Sequence, residues 1–243
     1  MSMPHTRRVV DASQFPPLRP VPGYLAVVDF VRREISLGRL LPGDRLPAER
    51  RLAEQLGVAR ETLRQALRVL EGGGFLSIER GANGGAVILA DVVDDAVLRS
   101  ELRTRKDSLV QLIEYRAEIE SSAARLAATK RTDADVDAMR AAQAELSGAE
   151  DKDVSRSADT AFHLAVATAA GNPFLLQAVE DARATMFFPV DLATFEFVKE
   201  TSHRGHEAVL RAIADRDPDA AAAAMREHVE QTRVDLMALI DAE

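Results

Sequence analysis

In "LPAERRLAEQLGVARETLRQALRVL", Leu46 to Leu70, the apolar residues leave the chain few ways to fold. Leu52, Ala53 and Leu56 form one short run that Pro47 opens and Gly57 closes. Three residues later Leu63, Ala66, Leu67 and Leu70 follow the i, i+3, i+4, i+7 spacing of a helix with one face in a core. Upstream, Leu25, Val28, Val31 and Ile35 mark another helix that begins at Tyr24 and stops at Gly38. Two short helices about a tight Gly-Val turn form a helix-turn-helix. "GGGFLSIERGANGGAVIL" then predicts two short strands, Phe75–Glu79 and Ala86–Leu89, around a glycine-rich turn. That is a hairpin wing, and glycines at its tip let backbone amides approach phosphate closely.

With the apolar face of the third helix committed to the core, Arg60, Thr62, Arg64, Gln65 and Arg68 point outward. Three of them are arginines four residues apart, yet the whole chain has a net charge of −8. The charge is divided. Residues 1–90 hold 13 Arg and no Lys against 9 acidic residues, whereas residues 91–243 hold 18 basic and 30 acidic ones. Only the first part suits a polyanion. On an isolated helix such a stripe would be read as a solvated face. Flanked by a second helix, a tight turn and a wing, it reads as a DNA-binding surface, held largely by phosphate contacts that weaken with salt.

This stretch resembles the winged-helix head of the GntR superfamily of bacterial transcription regulators, from about Tyr24 to Leu89. The resemblance implies that Arg50, Arg60, Thr62 and Arg64 contact operator DNA and that Gly81 sits at the wing tip. The chain departs from the family pattern at Ala59 and Glu61, where Ser and Thr are usual. Glu61 suits the positive end of a helix; near DNA it would repel phosphate or accept from a cytosine amine.

Before the head, residues 1–21 read as a polar, Pro-rich disordered arm without the apolar centre of a signal peptide. No apolar run approaches the roughly 18 residues of a membrane span, and no cysteine is present for disulfides or thiolate ligands. The expected setting is cytoplasmic, with no membrane partner. After Asp91 strand signals vanish. Alanine-rich segments are separated by polar breaks near Lys130–Thr132, Ser147–Lys152, Gly171–Pro173 and Asp215–Pro218. The fold class expected is mainly α: a winged helix-turn-helix over 22–90, a linker helix over 91–106, and an antiparallel all-α bundle of six or seven helices over 107–243.

Polar groups on the apolar faces of that bundle carry its chemistry. In "DTAFHLAVATAAGNP", Asp159 and His163 lie four apart beside Phe162 and Val166. His206 keeps company with Val209, Leu210 and Ile213, and His228 with Met225 and Val229. Asp217, midway between these histidines, falls in the turn, so an antiparallel pair would place both rings at one level. Three imidazoles and one carboxylate suit a borderline divalent ion: zinc first, with nickel, manganese or iron also fitting. The plainer alternative is a set of separate core histidines. His203 would be an extra ligand, an outer partner of one, or a surface residue. Arg116 and Glu120 also interrupt an apolar seam, either as an internal ion pair or with Arg116 gripping a ligand carboxylate.

From about Leu109 to Ile240 the chain resembles the all-helical FCD ligand-binding domain of one GntR subfamily. The resemblance implies a metal on Asp159, His163, His206 and His228, Arg116 lining the cavity, and small organic or sugar acids as effectors. The function expected is a homodimeric repressor that reads palindromic DNA and answers such an acid. The alternative is a metalloenzyme for small carboxylates, with Glu120 its one acid–base candidate.

Overall fold

The computed structural model describes residues 22–79, 85–89, 95–186 and 195–241. Its head opens with α1 (Gly23–Ser36), whose buried face is Val27, Val28, Val31 and Ile35. Helix α2 (Glu49–Leu56) starts two residues after Pro47, not at it. The reason is a neighbouring strand: the Leu46 amide donates to Ala86 O, and Arg45 bridges to Val87, so the chain stays extended up to Pro47. Gly57 ends α2 with φ 66° and ψ 29°, the left-handed conformation that suits glycine. Helix α3 (Arg60–Gly72) buries Leu63, Ala66, Leu67 and Leu70.

The wing is an antiparallel pair, β1 (Leu76–Glu79) and β2 (Gly85–Ile88), with Leu76 opposite Ile88 and Ile78 opposite Ala86. Leu76, Ala86 and Ile88 turn into the same core as the three helices. The arm of residues 1–21 and the wing tip with Gly81 lie outside the described residues.

Six helices form the described part of the second half: α4 (Asp95–Lys130), α5 (Asp133–Gly148), α6 (Lys152–Ala169), α7 (Pro173–Thr185), α8 (Phe195–Ala214) and α9 (Pro218–Asp241). Each break carries its own capping chemistry. Thr132 and Asp135 make a reciprocal capping box at α5, and Asp151 accepts from the first amides of α6. Asn172 caps α7 with Pro173 in its first turn, and Asp217 accepts from Asp219 N and Ala220 N at α9. Each such cap contributes about 1 kcal/mol by satisfying otherwise orphaned amides.

Helix α4 passes through positions 106 and 107 without interruption, since its 36 residues include neither glycine nor proline. Its early part lies on the end of α9, where Arg103 Nε donates to Ile240 O and Lys106 pairs with Asp241. Helices α4, α6, α8 and α9 enclose a core that includes Leu109, Ile113, Phe162, Val209, Ile213 and Met225. Among the described residues, the buried polar side chains include Arg116, Glu120, His163, His206 and His228.

The turn at Gly57 gives a direct test of the head. A Cβ there meets nothing within 4 Å, so only backbone strain opposes substitution. Gly57→Ala should lower stability by about 1–2 kcal/mol, and Gly57→Asn by less, as read from the head's unfolding in urea.

Candidate functional site

The bundle centre holds the four groups that the spacing singled out. One ligand atom from each of Asp159, His163, His206 and His228 lies within 4.8 Å of every other. Helix α6 presents Asp159 and His163 one turn apart. The α8–α9 hairpin presents the other two, with His206 and His228 ring centroids 4.6 Å apart across the antiparallel pair. His163 Nε2 lies 3.3 Å from His206 Nε2 and 3.1 Å from His228 Nε2. Asp159 Oδ1 is 3.3 Å from His206 Nε2.

These spacings suit a shared cation. With metal–nitrogen bonds of about 2.0–2.1 Å, neighbouring nitrogens stand about 2.9 Å apart at right angles and about 3.4 Å apart in a tetrahedron. The hydrogen-bond pattern points the same way. His163 Nδ1 bonds to Glu120 Oε2, which fixes its proton there and turns a bare Nε2 lone pair inward. A single lone pair cannot take well-aligned N–H bonds from two imidazoles at once, whereas a cation satisfies all three nitrogens.

Electrostatics favours the ligand form of each ring. Burial pushes the His163 pKa down to about 4, helped by Arg183 and opposed by Glu120. Burial likewise lowers His206, against the pull of Asp159, and holds His228 well below its ordinary value, with His206 and His163 adding to the shift. All three are therefore neutral near pH 7. The carboxylates go the other way. Burial raises Glu120, but Arg116 and His163 outweigh it and hold it below the usual carboxylate range. Burial also raises Asp159, and Arg183 together with His206 and His163 holds it well below that range.

Arg116 and Glu120 do form an internal ion pair, Nε to Oε1 at 2.7 Å, with side chains 4% and 2% exposed. Glu120 is thus the bridge between Arg116 and His163, a second use that its position one turn from Arg116 did not reveal. Arg116 Nη1 is directed at Met186 Sδ, a weak acceptor for a guanidinium. His203 is absent from the cluster among the described residues; its backbone carbonyl accepts from Gln143 Nε2. His206 Nδ1 is buried without a hydrogen-bond partner, and its ring stacks on Phe162 at 3.9 Å.

Two residues at the site escaped the sequence reading. Arg183 on α7 donates from Nη2 to Asp159 Oδ2 and to Thr160 Oγ1, so it holds the carboxylate of the cluster. No partner stood four residues away to betray it. Gly205, inside α8, lies against the His228 ring, and a Cβ there would overlap Nδ1. A lone glycine within a helical pattern was the available signal.

On the head, Arg50 is exposed in the first turn of α2, and Arg60 and Arg64 are exposed on α3. Thr62 is half-buried, with its methyl near Gly23 of α1. Arg64 Nε donates to Glu49 Oε2 at 2.8 Å, and Arg68 Nη2 donates to Glu61 Oε1 at 3.0 Å. Glu61 therefore steadies the arginine face of the free protein. Glu49 raises the Arg64 pKa further, so that guanidinium stays charged.

No helix among the described residues is long and apolar enough to cross a membrane. Comparison with known proteins adds the family. Residues 23–85 match the model of bacterial regulatory proteins of the gntR family, and residues 111–231 match the FCD domain. The Glc operon transcriptional activator of Escherichia coli K12 is 33% identical over 221 residues, which cover 86% of this chain and 87% of that protein. The HTH-type transcriptional regulator LutR of Bacillus subtilis 168 is 31% identical over 202 residues, covering 80% and 92%. Among solved structures, E. coli McbR/YncC shares the fold with a TM-score of 0.55 at 24% identity, over 90% of this chain and 98% of that one. The chain belongs to the GntR family of bacterial regulatory proteins, with a DNA-binding winged helix joined to an FCD domain, and is a transcriptional regulator rather than an enzyme.

Proposed function

We propose that this regulator is a homodimeric, cytoplasmic repressor whose hold on a palindromic operator answers a small organic or sugar acid bound beside a divalent metal. The observation that carries the reading is the convergence of Asp159, His163, His206 and His228 within 4.8 Å. Zinc suits this set best, and nickel, manganese or iron fit the same donors. When bound, such an ion supplies a Lewis-acidic point for an oxygen ligand.

Charge explains why that ligand is an acid. Glu120 is balanced by Arg116 and Asp159 by Arg183, and the imidazoles are neutral. A divalent cation therefore leaves an uncompensated positive charge in a buried place, and an anion relieves it. Arg116 serves that anion: an acid oxygen is a far better partner for Nη1 than the Met186 thioether.

Residues 22–90 act as the head and 107–243 as the sensor, with 91–106 joining them beyond the arm of residues 1–21. Arg50, Arg60, Thr62 and Arg64, with Gly81 at the wing tip, make the operator contacts. Two heads related by a two-fold axis read two half-sites, hence the palindrome. Repression is the proposed direction because a bound head excludes polymerase without further parts. The Glc operon relative is named an activator, so a promoter-fusion assay with and without the protein decides the sign.

Arg64→Ala should weaken operator binding by about 1–3 kcal/mol while metal content stays normal; equal binding would remove Arg64 from the interface. His206→Ala should lower metal stoichiometry with the head still folded, and Glu120→Gln should weaken metal affinity about 10–100-fold. Gly205→Ala should also lose metal, because the added methyl displaces His228. Melting temperature against a panel of acids identifies the effector, since a ligand of the native state raises it. A full panel without a shift, on metal-loaded protein, refutes the effector site.

A further inference from the structure

The C-terminal end of α1, on the head, rests on α6 and α7 of the sensor. Arg33 Nη1 is 2.6 Å from Asp181 Oδ1, and its Nη2 is 3.3 Å from Glu180 Oε2. Arg39 Nη2 donates to Glu180 Oε1 at 2.5 Å. On α6, Arg156 Nη1 donates to Ile35 O, which lies in the last turn of α1. Gly38 follows with φ 68°, and a Cβ there would stand 2.8 Å from Ser157 Cα. Backbone thus meets backbone at this dock, and ion pairs surround it.

The same two helices reach the buried cluster. Helix α6 carries Asp159 and His163 beyond Arg156 and Ser157. Helix α7 carries Arg183 within one turn of Glu180 and Asp181. Arg183 has a side chain only 9% exposed, ties Asp159 to α7, and keeps its Nε without a hydrogen-bond partner. One end of a short helix therefore grips a candidate metal ligand while neighbouring side chains grip the DNA head.

We infer that α7 couples the buried cluster to the head: Arg183 senses the charge on Asp159, and the Glu180–Asp181 pair releases or holds Arg33 and Arg39 accordingly. The coupling rests on the proposed cation site; the dock does not. Asp159 would hold the cation together with the imidazoles and so be drawn from Arg183. Arg183 would then lose part of its anchor, α7 would shift, and the dock would loosen. The dock is a set of partly exposed charges, so salt weakens it too. Such a route needs only that the cation bind the docked and undocked states unequally.

The native chain lacks cysteine, so a single introduced pair takes spin labels cleanly. Glu54→Cys on α2 and Glu145→Cys on α5 are both exposed and report the distance between head and sensor in the full-length protein. In chelator at low salt, the distance should be narrowly distributed. Combined Glu180→Arg and Asp181→Arg should broaden it, and adding Arg33→Glu with Arg39→Glu should narrow it again. Zinc chloride, at saturation verified by metal analysis, should lower the docked fraction about fivefold or more, in the range of ordinary allosteric couplings. Arg183→Met should abolish that zinc response, and Arg183→Lys should restore part of it. A narrow distribution in the charge-reversed protein overturns the dock. A zinc response that is absent in the parent, or equal in Arg183→Met, overturns the coupling. If the parent takes up no zinc, the metal reading falls and the coupling with it, while the charge-reversal comparison still judges the dock.

Discussion

Charges placed at the centre of an apolar bundle must be matched where they stand, and the rest of this molecule is arranged around that requirement. Glu120, 2% exposed, would be costly alone in such a place, and Asp159, 23% exposed, less so. Arg116 reaches the first from one turn away on α4, and Arg183 reaches the second from α7. The three imidazoles are kept neutral by burial, so they add lone pairs without adding charge. The result is a site whose formal charges balance, Glu120 against Arg116 and Asp159 against Arg183. In the function proposed above, that balance links the architecture to an acid effector: the cation that would complete the donors would also call for an anion.

The same matching governs how the two parts of the chain meet. The head is rich in arginine and the sensor in acidic residues, which at first suggests two parts with separate partners. Arg33 and Arg39 spend that difference on the sensor itself, against Glu180 and Asp181. Arg64 and Arg68 of α3, by contrast, are held by Glu49 and Glu61 from within the head and remain exposed. An intramolecular polar dock and an exposed arginine face on α3 thus share one charge asymmetry. The exposed pairs are individually weak, which suits the opening proposed above.

Much of this was legible from spacing. The buried face of α3 is the one that Leu63, Ala66, Leu67 and Leu70 describe, because a helix in contact with a core has a single way to hide them. The level of His206 and His228 followed from their equal distance to Asp217, since an antiparallel pair with a short turn preserves register. Helix ends were less certain. Pro47 looked like the start of α2, but pairing of Leu46 with the distant Ala86 kept the chain extended. Arg183 and Gly205 were hidden for a related reason. Each owes its role to a side chain on another helix; Arg183 does not stand out within its own, and Gly205 is marked there only as a lone glycine.

The amino-acid order by itself determined the helical periods, the turns, the division of charge, and which polar residues must face inward. These are local properties, set by backbone geometry and by the cost of leaving apolar surface in water. Only the tertiary structure decided which inward groups share one point, which arginine answers which carboxylate, and where the head rests on the sensor. Those outcomes depend on distances between segments far apart in the chain, and a few ångströms separate a paired charge from a stranded one.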